Sequence, residues 1–173
     1  MTHSFMQEAI RLSIEKMREG CGGPFGAVVV QEGRIIGRGW NQVTSANDPT
    51  AHAEIVAIRD ACQCTGSFNL RGCEIYSSCE PCPMCLGAIY WARLDRLYFA
   101  ATREDAAAAG FDDEAIYREI PLPPNARKLP SIQMLRDRAF THLKSGEPCR
   151  TKSTIDAKPC FEKLSRQEIQ AKD

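Results

Sequence analysis

His52 and Glu54 stand two residues apart, and Cys82 and Cys85 three apart within Pro81-Cys82-Pro83-Met84-Cys85. One imidazole nitrogen and two thiolate sulfurs are donor types that zinc takes, and three protein ligands leave a fourth position open to water. A metal held in this way lowers the pKa of water and makes a nucleophile available at neutral pH. Glu54 is not needed as a ligand, so its carboxyl is free to carry protons. The chemistry these residues suggest is metal-assisted hydrolysis, with His52, Cys82 and Cys85 on zinc and Glu54 as acid and base. Cys79 leaves other readings open. As a fourth ligand it would close a structural site. The C-x-x-C-x-x-C run also suggests an iron–sulfur cluster, although the fourth cysteine of the ferredoxin-type run is missing at its expected place.

Two helices must present these donors. Cys82 and Cys85 share a face if a helix starts at Pro83, a residue suited to a first turn. That helix end also favours the thiolate form. His52 opens a second helix after the breaker Asp48-Pro49, and Ile55, Val56, Ile58 and Ala61 carry it to about Cys64. A short strand, Glu74 to Ser77, delivers the cysteine loop. In this order, H-x-E followed by P-C-x-x-C, the residues form the signature of zinc enzymes that deaminate nucleobases.

The remaining segments frame that pair of helices. Ser4 with Gln7 reads as a capping box for a helix running to about Glu19 along Phe5, Ala9 and Leu12. The glycine-rich run from Gly22 to Gly26 suggests close backbone approach. Ala27 to Gln31 and Arg34 to Trp40 form a hairpin about Glu32-Gly33. Asn41 to Pro49 is read as a polar loop. Asn41 either faces a pocket from the strand end or simply forms the turn. Leu97 to Ala100 is another strand, Asp105 to Ala109 a helical turn and Ala115 to Ile120 a short helix. Asp112 and Asp113 fit helix capping on local sequence alone. Ile132 to Leu135 is expected as a final strand and Arg136 to Lys144 as a helix. Alternating strands and helices predict an α/β layered domain, with its ligand beyond the carboxyl ends of strands.

Length fits one domain, expected at 1–144, with a polar extension over 145–173 that serves as a lid or an exchanged segment. Among 173 residues, 22 Lys and Arg balance 22 Asp and Glu, so a polyanionic partner such as nucleic acid is not favoured. No stretch approaches the ~20 apolar residues of a membrane helix. The first residues read as helix rather than signal peptide. Nine cysteines without framework spacing point to a reducing, cytoplasmic setting.

The segments GGPFGAVVV, NDPTAHAE, SSCEPCPMCLGAIYWAR and AAGFDDEAIYREI together resemble the cytidine/deoxycytidylate deaminase superfamily. Within it they resemble the guanine deaminases of bacterial type, from about Met6 to Ile120. Phe111-Asp112-Asp113 is the most discriminating part, being unusual in the related tRNA adenosine deaminases. The resemblance implies a three-layer α/β/α fold around a five-stranded mixed sheet, and a homodimer that can exchange C-terminal segments. It implies a small-molecule purine substrate, most simply guanine converted to xanthine and ammonia. His52, Cys82 and Cys85 would bind Zn2+ and Glu54 would shuttle protons. Asn41 would hydrogen-bond the base, Asp113 would recognise its polar edge, and Phe25 and Trp91 would flank the ring. Read by themselves, Phe25 and Trp91 fit core packing equally well. Relatives tend to end in an aromatic residue, usually Tyr. Here no Tyr follows Tyr117, and the later aromatics are Phe140 and Phe161. Another aminopurine, guanosine, a triazine or tRNA adenosine are the alternative substrates. A catalytically silent zinc interaction domain is the non-enzyme alternative, for which Glu54 would have no use.

Overall fold

A computed structural model of the chain describes residues 2–145. The described residues divide into two units, 2–113 and 114–145. The first contains α1 (Thr2–Arg18), β1 (Gly26–Gln31), β2 (Arg34–Trp40), α2 (Val43–Ala46), α3 (Ala53–Thr65), β3 (Cys73–Cys79), α4 (Pro83–Ala92), β4 (Arg96–Ala101) and α5 (Arg103–Ala108). The second contains α6 (Glu114–Glu119), a 3-10 turn (Pro124–Ala126) and α7 (Arg136–Ser145). No described helix is long and apolar enough to cross a membrane.

The four strands form one mixed sheet in the order β2-β1-β3-β4. β1 runs antiparallel to β2 and β3, and β3 runs parallel to β4. Glu32 and Gly33 both take positive φ, at 48° and 76°, which lets the β1–β2 turn follow the strand twist. Alternate residues of the strands face opposite layers. Val28, Val30 and Tyr76 pack on Leu12, Phe5 and Met6 of α1. Ala27, Val29, Cys73 and Ile75 pack on Ala53, Ala57 and Ala61 of α3 and on Ile89 and Ala92 of α4. The first unit is therefore a three-layer α/β/α arrangement.

The contact between α3 and β2 sets the position of the first motif. Gly37 and Gly39 lie on one face of β2, opposite Ala53, Ala57 and Ala61, which recur every four residues along α3 and are all fully buried. A Cβ at Gly39 would collide with the Ala53 carbonyl and the Ala57 backbone nitrogen. One at Gly37 would collide with Ala57 and Ala61. Only bare backbone on the strand allows the helix to sit this close, so the height of α3 over the sheet is fixed.

Several sequence expectations are corrected. Helix α1 starts at Thr2, so Ser4 lies in its first turn rather than capping it. The 41–49 loop contains the short helix α2. The 132–135 stretch pairs with no strand, and Leu135 takes φ 51°, a left-handed conformation that a strand does not accommodate. The described residues thus hold four strands where five were expected. Residues 146–173, including Cys149, Cys160, Phe161 and almost all of the expected 145–173 extension, lie outside the described residues.

Replacing Gly39 with Ala is expected to cost about 2 kcal/mol, the usual scale of core overpacking. Chemical denaturation reads this as a lower midpoint at unchanged slope. An unchanged midpoint would mean that the α3–β2 contact yields freely.

Candidate active site

Each half of the motif sits at a helix entrance. His52 is the N-cap residue of α3 and Cys82 that of α4. Both are in extended conformation, and Pro83 begins α4. Cys85 follows in the first turn of α4 and is buried. The donor atoms of His52, Cys82 and Cys85 lie within 4.8 Å of one another, the one such group among the described residues. Cys82 Sγ is 3.6 Å from His52 Nδ1. One imidazole and two sulfurs at this spacing fit the borderline-soft donor set of zinc.

Electrostatics favour a thiolate at Cys82. The Cys85 thiol hydrogen-bonds to it and His52 assists, holding the Cys82 thiol down to about 4 against the opposing effect of burial. The same hydrogen bond, together with burial, pushes Cys85 up. The bond to Cys82 also raises the pKa of His52. Cys79 stands apart from this cluster. Its Sγ is 3.6 Å from the Thr102 carbonyl, to which it donates, and burial pushes its thiol up to about 11. Its geometry supports neither closure of the site by a fourth protein ligand nor an iron–sulfur run.

Glu54 lies in the first turn of α3 and is 6% exposed. Its Oε1 accepts a hydrogen bond from Ser77 Oγ at 3.0 Å. Burial raises its pKa, partly offset by its own backbone N–H and by the Ser77 and Cys85 side chains. His52, Glu54 and Cys82 face a cleft of about 460 Å³, which Phe25, Asn41, Phe111 and Asp113 also line. Asn41 Oδ1 accepts from the backbone N–H groups of Gly23 at 3.4 Å and Val43 at 3.2 Å. The glycine-rich run permits this, since a Cβ at Gly22 would overlap the Asn41 carbonyl. The Phe25 ring meets the Phe111 ring edge-on, with centroids 5.0 Å apart. Asp113 is half-buried, and its pKa is raised by burial and then by the nearby Cys82.

Seven of the eight residues singled out from sequence therefore lie in or beside one cleft. Trp91 does not. It is 83% exposed on α4, whose buried face carries Cys85, Ile89 and Ala92. At helical spacing Trp91 points away from that face, so within this chain it does not flank a ring in the cleft. The sequence reading also missed Ser77, Thr44, Glu80 and Arg103. The last three line the cleft. Glu80 Oε2 accepts from the Arg103 backbone N–H at 3.1 Å, and Thr102 and Asp105 form a reciprocal capping box on α5. The capping pattern Thr102-x-x-Asp105 was readable in advance. Ser77 carried a weaker signal, a hydroxyl within an otherwise apolar strand face.

Residues 1–101 match the cytidine and deoxycytidylate deaminase zinc-binding region. Guanine deaminase of Bacillus subtilis is 54% identical over 135 residues, which cover 78% of this chain and 86% of that protein. A crystal structure of guanine deaminase from B. subtilis superposes with a TM-score of 0.80, covering 83% of this chain and 91% of that one at 50% identity. The tRNA-specific adenosine deaminase of Agrobacterium fabrum is 50% identical over 78 residues, 45% of this chain and 51% of its own.

Metal analysis of purified variants tests the donor assignment. Cys82→Ala and Cys85→Ala are expected to lose most of their zinc, and Cys79→Ser to keep the full wild-type amount. Zinc loss in Cys79→Ser would place Cys79 among the ligands.

Proposed function

This chain belongs to the cytidine and deoxycytidylate deaminase family, and we infer from that membership and from its cleft that it converts guanine and water to xanthine and ammonia. One observation carries the reading: a buried carboxyl, Glu54, shares a cleft with a three-donor metal cluster and with hydrogen-bonding side chains suited to a purine. Zinc held by His52, Cys82 and Cys85 supplies Lewis acidity that makes water nucleophilic at neutral pH.

The protein's own residues do the rest. Glu54, buried and raised in pKa, takes a proton from the attacking water and gives it to the ring nitrogen beside C2, then takes the remaining proton of the added hydroxyl and gives it to the departing amine. Asp113 accepts hydrogen bonds from the polar edge of the base. Asn41 has its Oδ1 engaged by backbone N–H groups, so its Nδ2 presents donors to acceptor atoms of the ring. Phe25, braced by Phe111, packs on the ring face. A silent interaction domain would gain nothing from burying Glu54 at the metal cluster, since an unneeded buried carboxyl is a cost.

The reading extends to a homodimer. None of the described residues of 114–145 is buried, and Ile116, Ile120, Leu129 and Ile132 are exposed. A segment this apolar with no interior of its own calls for a covering surface. Tyr90 and Trp91 on α4, 76% and 83% exposed, extend the demand to the first unit. A second copy that exchanges C-terminal segments supplies that cover. A cytoplasmic setting fits the free thiols of Cys21, Cys62, Cys73, Cys79, Cys82 and Cys85, whereas Cys64 is disulfide-bonded.

Ammonia release from guanine, guanosine, adenine, an aminotriazine and adenosine-containing tRNA separates the substrates, and guanine is expected to dominate. Glu54→Gln is expected to retain zinc and lose about 10²–10⁴ in kcat, the range typical of general acid–base catalysis. Wild-type turnover in that variant would remove Glu54 from the mechanism. Asp113→Ala is expected to lower kcat/KM for guanine by roughly 10- to 100-fold, the worth of a hydrogen bond to a charged group. Unchanged guanine kinetics would dismiss its recognition role.

A further inference from the structure

Strand β3 lies between β1 and β4, and Ser77 pairs with Ala27 on one side and Phe99 on the other. Its backbone is thus held from both flanks. Along β3, Cys73 and Ile75 face the α3 layer and Tyr76 the α1 layer, so strand alternation turns Ser77 toward α3. Ser77 is 1% exposed in these apolar surroundings. A buried hydroxyl needs a hydrogen-bond partner, and here the partner is Glu54 Oε1 at 3.0 Å.

We propose that Ser77 is a positioning residue for the reaction: its hydroxyl anchors Oε1 of Glu54, which leaves Oε2 as the oxygen that exchanges protons in the cleft. This rests on the role of Glu54 set out above. A carboxylate rotating freely about its last bond would offer either oxygen in many directions. The Ser77 bond to Oε1, together with the carboxyl's contacts to its own backbone N–H and to the Cys85 side chain, removes that freedom, and the short Ser side chain has little of its own to add. Oε1 can accept from Ser77 whether or not Oε2 carries a proton, so the anchor persists through a full turnover. Ser78 shows the contrast. Its Oγ accepts from the Gly26 backbone N–H at 3.0 Å, an ordinary strand-end tie with no reactive partner.

The test compares Ser77→Ala and Ser77→Thr with wild type on guanine, recording kcat, KM, zinc content and melting temperature. Ser77→Ala is expected to keep its zinc and its KM and to lose about 10- to 100-fold in kcat, as misplacement of a reacting group does. Ser77→Thr restores the hydroxyl and is expected to recover most of that loss. In a Glu54→Gln background, Ser77→Ala is expected to cost nothing further in kcat, because the group it positions is already disabled. The proposal is overturned if Ser77→Ala matches wild-type kcat, if the loss accompanies zinc loss, if Ser77→Thr melts normally without recovery, or if the loss persists in the Glu54→Gln background. Wild-type enzyme assayed in parallel separates the two claims. Its failure on guanine removes the proposed function, whereas normal wild-type turnover matched by Ser77→Ala removes this inference alone.

Discussion

Two helix entrances meet at one end of a sheet, and the distance between them is the constraint on which the site depends. The donor atoms of His52, Cys82 and Cys85 come within 4.8 Å only because α3 and α4 begin side by side. The register of α3 is set by backbone contact, with Gly37 and Gly39 of β2 lying against Ala53, Ala57 and Ala61. α4 begins four residues after β3 ends at Cys79, and its Ile89 and Ala92 pack in the same cluster as α3. The layers that bury this side of the sheet are therefore the same ones that bring the donors together.

Placing donors at helix entrances also prepares their chemistry. The Cys85 thiol, then His52 and the Cys85 backbone N–H at the entrance of α4, lower the pKa of Cys82, and a helix N-terminus is a setting that favours thiolate over thiol. Within the first turn of α3 the environment reverses. Glu54 is buried, and burial favours its protonated form. A low-pKa ligand and a high-pKa carboxyl thus stand close together, the division of roles that pairs a metal site with a proton carrier. The rest of the cleft lining comes from different parts of the chain. Asn41 is locked by the glycine-rich run before β1, and Phe111 and Asp113 follow α5, whose start is tied to Glu80.

The parts of this arrangement carried by local spacing were legible in the sequence. The hairpin, α3, β3, α4 and β4 came out within about two residues of expectation, because apolar periodicity and the Gly, Pro and His-x-Glu punctuation act locally. The donor set was legible for the same reason. What escaped depended on tertiary context. Ser77 is an ordinary strand residue until α3 lies against it. Trp91 has the residue type of a ring-stacking group, but only helix phase shows that it points away from the cleft. The 132–135 stretch is apolar enough for a strand, yet Leu135 bends the backbone into a left-handed turn. Whether Cys79 joins the metal was undecided in sequence and follows from the direction of its thiol, toward Thr102.

X-ray absorption at the zinc edge of the purified enzyme probes the metal's surroundings directly. A site held by His52, Cys82 and Cys85 predicts two sulfur neighbours, one imidazole nitrogen and one further light atom contributed by solvent. A third sulfur, or a metal enclosed by four protein donors, would contradict it.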